Sequence, residues 1–324
     1  MILFLHGFPE FWYSWKQQMR EFSSTEWVVA LDLPGYGDSE GPVRADAYTV
    51  DALVSLVQEF ISLLGRDQCV LVGSDYGALI GWHLLQRSPQ TFSHFVSISQ
   101  PLPNIMLDIL DKSVHHKLKQ WRCYLYQLPW LPEYLIAGGD LDILCAEYGD
   151  AQRRGRISPE DMQAYLFAFS RTEDWRGPLS HQRQLFAACN WASPPDRLAV
   201  PTLLVSGGRD RSLPVDAMYR CLPHLVDCRI QMVTDAGRHV QVEQPAQVNN
   251  LIRDFIGVLP DEPERQLAAA DESGPGRSLL GRALEGGQGW LGAGNALYNR
   301  TVERINTAAA LGERYTRTVM MLQD

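Results

Sequence analysis

The chain has 324 residues, 45% of them hydrophobic and 21% charged, and 38 acidic against 29 basic side chains give a formal charge of -9. At about 150 residues per domain this allows one large domain or two, and a composition near the soluble average excludes collagenous, disordered and disulfide-scaffold classes for the bulk of the chain. An acidic balance without basic blocks excludes nucleic acid as partner, and no run reaches the roughly 18 to 20 apolar residues of a membrane span.

In chain order, short apolar runs alternate with stretches of helical spacing, the signature of a parallel sheet in an α/β fold. Strands are expected at Ile2 to Leu5, Trp27 to Leu31, Cys69 to Gly73 and His94 to Ile98, with helices at Phe11 to Phe22, Val50 to Leu64 and Tyr76 to Leu85. After Pro101 strand runs vanish and helices such as Pro159 to Phe169 are expected; alternation resumes with Thr202 to Ser206, Arg229 to Val233 and a helix from Ala246 to Val258. The expected organisation is therefore a first core segment over 1–100, a helical insert over 101–198 acting as a lid, and a second core segment over 199–258. Residues 259–324 contain Pro263, Gly274, Pro275 and Gly276, which read as a linker. Tyr298, Val302, Ile305 and Ala309 then fall at helical spacing, so a peripheral amphipathic helix is expected, with a partner or membrane-surface contact as the alternative.

The six cysteines are scattered without a Cys-x-x-Cys pair and the eight histidines without a His-x-x-x-His pair. Reduced thiols in a cytoplasmic compartment and no metal site are expected.

Four short elements carry chemistry. Gly73-Ser74-Asp75-Tyr76-Gly77 joins a strand to a helix, with small residues flanking a central position that a sharp turn pushes clear of the sheet; Asp75 holds that position. His6-Gly7-Phe8-Pro9 follows the first strand, where the backbone N–H of Phe8, with that of Tyr76, supplies the two donors of an oxyanion hole. Gly207-Gly208-Arg209-Asp210 places an acid able to orient a histidine, and Gly237-Arg238-His239 supplies one. Nucleophile, acid, histidine is the chain order of a catalytic triad on such a sheet.

These motifs resemble the epoxide hydrolases of the α/β-hydrolase fold, closest to the epoxide hydrolase 3 and 4 type, over roughly residues 1–258. The resemblance is carried by His6 to Trp12, Gly35-Tyr36-Gly37-Asp38-Ser39, Ser74 to Leu79, Gln127-Leu128-Pro129-Trp130-Leu131-Pro132-Glu133 and Pro201 to Leu204. It implies no cofactor and hydrolysis of apolar epoxides or lipid-like substrates to diols through an alkyl ester on Asp75. Asp210 is then the orienting acid, and the backbones of Phe8 and Tyr76 form the oxyanion hole.

The chain departs from the family at several positions. The family's histidine falls on Arg238, so either the loop slips by one residue and His239 serves, or the base is gone. The two lid tyrosines that donate to the epoxide oxygen fall on Arg122 and Gln182, with Tyr124, Tyr126 and His181 as substitute acids within reach. The family's β-hairpin ahead of the first strand is expected to be missing, which would leave Trp27 to Leu31 as a sheet edge. Loss of acid and base would make turnover slow or abolish it. Two alternatives follow. One is a haloalkane dehalogenase-like hydrolase, which would need a tryptophan where Tyr76 stands. The other is a non-catalytic relative with a lipid-like binding pocket.

Overall fold

The computed structural model describes residues 1–257, apart from Ser113, Gly138, Asp140, Leu141 and residues 192–196. The expected C-terminal helix, and the contact assigned to it, lie outside the described residues.

Among these residues the strands are β1 (Ile2–Leu5), β2 (Val28–Leu31), β3 (Cys69–Ser74), β4 (Phe92–Ile98), β5 (Thr202–Gly207) and β6 (Cys228–Val233). They form one sheet in the order β2-β1-β3-β4-β5-β6, every pair parallel. Alternation along β1 explains its burial. Leu3 and Leu5 face the helices α2 (Val50–Leu63) and α3 (Tyr76–Arg87). Ile2 and Phe4 face α1 (Lys16–Phe22) and the last helix on the other side. A strand covered on both faces reads as a continuous apolar run, as this one does. β2 stands at one edge of the sheet.

The strands begin and end within a residue or two of their expected limits. β4 starts earlier, at Phe92, because that residue pairs with Cys69 across an irregularity in the register. The expected Phe11 to Phe22 helix opens instead as a 3₁₀ turn, Trp12–Trp15, whose Ser14 hydroxyl donates to the Phe11 carbonyl.

Between β4 and β5 the chain runs through α4 (Pro103–Lys112), α5 (Val114–Lys119), α6 (Trp121–Leu125), α7 (Leu131–Ala137), α8 (Ile143–Arg153), α9 (Pro159–Ala168), α10 (Arg176–Arg183) and α11 (Leu185–Cys189). After β6 come α12 (Val240–Glu243) and α13 (Pro245–Ile256). The inserted helices are tied to the segments that leave β1 and β2. Tyr148 on α8 donates to the Pro9 carbonyl at 3.0 Å, Tyr13 donates to Asp161 on α9 at 3.0 Å, and His181 on α10 donates to the Pro34 carbonyl at 2.9 Å. They therefore close over the carboxyl ends of the strands, where a parallel sheet places its reactive loops.

Candidate active site

Asp75 sits between β3 and α3 with φ 47°, a left-handed value that an aspartate adopts only when its surroundings impose it. A Cβ at Gly73 would lie 2.6 Å from the Ala78 backbone, and one at Gly7 would lie 2.5 Å from Cβ of Asp75. Glycine at both positions lets the β1 turn and the α3 N-terminus close on the carboxylate. Asp75 heads α3 and Tyr76 opens it, but the Asp75 side chain makes no capping hydrogen bond to the first helical turn.

The two carboxylate oxygens of Asp75 have different partners. Oδ2 accepts from the Phe8 N–H at 3.0 Å. Oδ1 accepts from Nη2 of Arg238 at 2.5 Å. Arg238 is half-buried, and although burial works against its charge, the carboxylates of Asp75, Glu147 and Asp210 hold it firmly protonated.

The loop after β6 thus presents Arg238 to Asp75, and the register is clamped from both sides. Ser99 Oγ donates to the Arg238 carbonyl at 2.6 Å. Glu243 accepts from the Gly237 N–H at 3.0 Å and from Arg154, just after α8, at 2.6 Å. His239 points elsewhere. Its Nδ1 lies 2.8 Å from Oε1 of Glu10, and its ring packs on Tyr148 with 4.5 Å between centroids. Glu10 also accepts from Gln241 at 2.7 Å and, through Oε2, from the Gly7 N–H at 2.8 Å. The nitrogen Nε2 of His239 lies 3.7 Å from Oε2 of Glu147 on α8. Burial alone would lower the pKa of His239, but the two carboxylates reverse this and lift it to about 10.

Asp210 stands after β5 as expected. Its Oδ1 accepts from the N–H and hydroxyl of Ser212, at 2.8 and 2.6 Å. Its Oδ2 is buried with no hydrogen-bond partner, and burial raises its pKa. The structure therefore does not join Asp210 to His239 by a hydrogen bond: the histidine is turned onto Glu10 instead.

The helical residues fall into place as follows. Arg122 lies over the Trp121 ring at 5.2 Å, with a buried Nε that has no partner. Gln182 is buried, and its carbonyl accepts from Gln127 at 2.8 Å. Of the three substitute acids, Tyr124 donates to the Leu110 carbonyl at 2.5 Å and is spent there. His181 is fully buried, and burial pushes its pKa to about 3; with Nε2 donating to Pro34, its Nδ1 carries no proton to give. Tyr126 is different. Its ring lies 5.4 Å from Phe8, and its hydroxyl is buried without a partner. Burial, then the Glu147 carboxylate, raises its pKa.

Glu10 and Glu147 are functional candidates that the motifs did not single out. Glu10 stands within the Gly-Phe-Pro-Glu turn and could have been read as its cap. Glu147 had no signal at all, since its helix is brought to the loop after β6 only by folding.

A parallel sheet with an aspartate at its strand-to-helix elbow and a backbone donor from the β1 turn defines an α/β hydrolase. The sequence matches the alpha/beta hydrolase fold family over residues 1–245. It is 32% identical over 262 residues to human epoxide hydrolase 4, covering 79% of this chain and 72% of that one. It is likewise 32% identical over 264 residues to mouse epoxide hydrolase 3, covering 79% and 70%. The crystal structure of Bacillus megaterium epoxide hydrolase with an inhibitor superposes with a TM-score of 0.70 at 25% identity, covering 79% of this chain and 93% of that one. The chain belongs to the epoxide hydrolases of the α/β-hydrolase family.

Proposed function

We propose that the chain opens apolar epoxides and hydrolyses them to diols through an alkyl ester on Asp75, with the second step slow. The observation that carries this is the Asp75 carboxylate, held at the elbow with Oδ2 on the Phe8 N–H. Oδ1 attacks a ring carbon once Arg238 lets it go. Oδ2 then becomes the ester carbonyl oxygen, already on the Phe8 N–H, where charge develops when hydroxide adds. Arginine cannot be deprotonated near neutrality, so Arg238 cannot take the proton of the attacking water, and ester hydrolysis is the slow step.

In this reading the helices over 101–198 form the lid, with Phe8, Tyr126 and Trp175 as apolar lining; Phe8 lies 5.4 and 6.3 Å from the two other rings. The relatives named above are epoxide hydrolases, and that supports the substrate class. Six unpaired cysteines fit a reducing, cytoplasmic compartment, and no helix among the described residues is long and apolar enough to cross a membrane.

The test is to follow an aryl or alkyl epoxide by chromatography and the protein by intact mass. The reading expects slow diol formation and a protein adduct mapped to Asp75, both abolished by Asp75→Asn. The ion pair of Arg238 with Asp75 favours a second reading, a site that binds apolar ligands without turnover. Ligand binding with neither adduct nor diol would decide for it.

A further inference from the structure

The reaction proposed above needs a proton delivered to an alkoxide and later taken from water, and Arg238 can do neither. The buried His239 could supply both, but its ring faces away from Asp75. One side chain spans the gap. Oε2 of Glu147 lies 3.7 Å from Nε2 of His239 and 3.9 Å from Nη1 of Arg238. The other amino group of that guanidinium holds Oδ1 of Asp75 at 2.5 Å. Glu147 and Asp75 therefore straddle one guanidinium, with the histidine behind Glu147. His239 Nε2 is buried with no hydrogen-bond partner, and the ring is 2% exposed. A proton on it faces Glu147.

We propose that Glu147 is the proton-transfer group of the Asp75 site, exchanging protons with the substrate oxygen on one side and with His239 on the other. The inference rests on the reading of Asp75 as the nucleophile.

The cycle balances without any further reagent. In the first step a C–O bond of the epoxide breaks as the bond from Oδ1 to carbon forms, and the ring oxygen takes a proton from Glu147 as Glu147 takes one from His239. This leaves a hydroxy ester and a neutral imidazole. In the second step water loses a proton to Glu147, and hydroxide adds to Cγ of the ester. The diol oxygen leaves and is protonated, and the proton that remains returns to His239. Asp75 is then ionised again and the imidazole again charged.

The groups that face this histidine support the cycle. Glu10 is on its Nδ1, Glu147 on its Nε2, Tyr148 against its ring, and Arg238 and Asp210 nearby. Between two carboxylates the imidazole binds its proton strongly, so after the first step the neutral ring is a stronger base than a free histidine.

The experiment is single-turnover kinetics with an epoxide, reading adduct on Asp75 and diol separately, for wild type, Glu147→Gln, Glu147→Asp and Glu147→Ala. Glu147→Gln should slow both steps, each by about 10² to 10⁴-fold, the usual worth of positioned acid or base groups. Glu147→Asp should recover part of the loss, and formate should restore rate to Glu147→Ala in a concentration-dependent way. A merely structural carboxylate would not respond to formate. Glu147→Gln rates within about threefold of wild type, or a loss that neither aspartate nor formate recovers, would overturn the proposal. Absence of any adduct in the wild type, with Asp75→Asn indistinguishable from it, would overturn the Asp75 reading and this inference with it.

Discussion

Arg238 holds Oδ1 of Asp75 at 2.5 Å, so the oxygen that should attack substrate begins each encounter inside an ion pair. A half-buried pair of this kind is retained only if its geometry is good, and here the arginine backbone is fixed by Ser99. Substrate opening must therefore compete with an intramolecular cation.

Arg238→His should relieve that competition and at once place an imidazole base beside Asp75. Asp210 has a buried Oδ2 without a partner, so an imidazole at this position has an acceptor waiting. Diol formation should rise by about 10² to 10⁴-fold, while the rate of adduct formation rises less. An unchanged steady-state rate, measured with the same epoxide, would show that Asp210 cannot orient an imidazole here.

Gly7→Ala should damage both stability and chemistry. The new Cβ would lie 2.5 Å from Cβ of Asp75, 3.1 Å from its Oδ2 and 3.0 Å from the Ser74 carbonyl oxygen, so the nucleophile itself would have to shift. Overpacking of this kind costs about 1 to 3 kcal/mol. Thermal melting should fall accordingly, and adduct formation should be lost even in the fraction that stays folded.

Strands, helices and the elbow were legible because they follow from local rules: short continuous apolar runs, glycine at the elbow and the order of the four motifs. The direction of His239 was not. A one-residue offset in Gly237-Arg238-His239 swaps which side chain enters the site, and the offset is decided by Ser99, Glu10, Arg154 and Glu243, which lie on separate elements. For the same reason Glu147 could not be read, since a carboxylate on a helix becomes a site residue only when that helix packs over the sheet. The replacements Arg122 and Gln182 were visible by counting, but that Tyr126 alone among the substitutes keeps a free hydroxyl depends on the carbonyls that Tyr124 and His181 happen to meet.

Tyr126→Phe tests that remaining hydroxyl. Because it is buried without a partner, its removal should be neutral or slightly stabilising by melting temperature, as the deletion of an unsatisfied polar group tends to be. If Tyr126 donates to the ring oxygen, adduct formation should slow while hydrolysis of a preformed adduct should not. Equal adduct rates in wild type and variant would remove Tyr126 from the chemistry.

Stability should fall on the alkaline side. The pKa of His239 is about 10 in the folded chain against 6.5 for an ordinary histidine, so its contribution is complete below 6.5 and is lost as pH rises through about 10. Chemical denaturation at a series of pH values should show the decline, and His239→Gln should flatten it between pH 7 and 9. A wild-type profile that is flat over this range would mean the imidazole is neutral in the fold.

Glu10 gives this site an unusual wiring. One carboxylate oxygen anchors the turn that carries the Phe8 N–H, and the other meets His239. Discharging the imidazole weakens the grip on one oxygen and frees electron density for the other. The backbone donor that steadies Asp75 is thus mechanically linked to a proton held on the far side of the loop after β6. A fluorine or isotope label placed on the Phe8 turn should register the charge state of a residue more than two hundred positions away in the sequence.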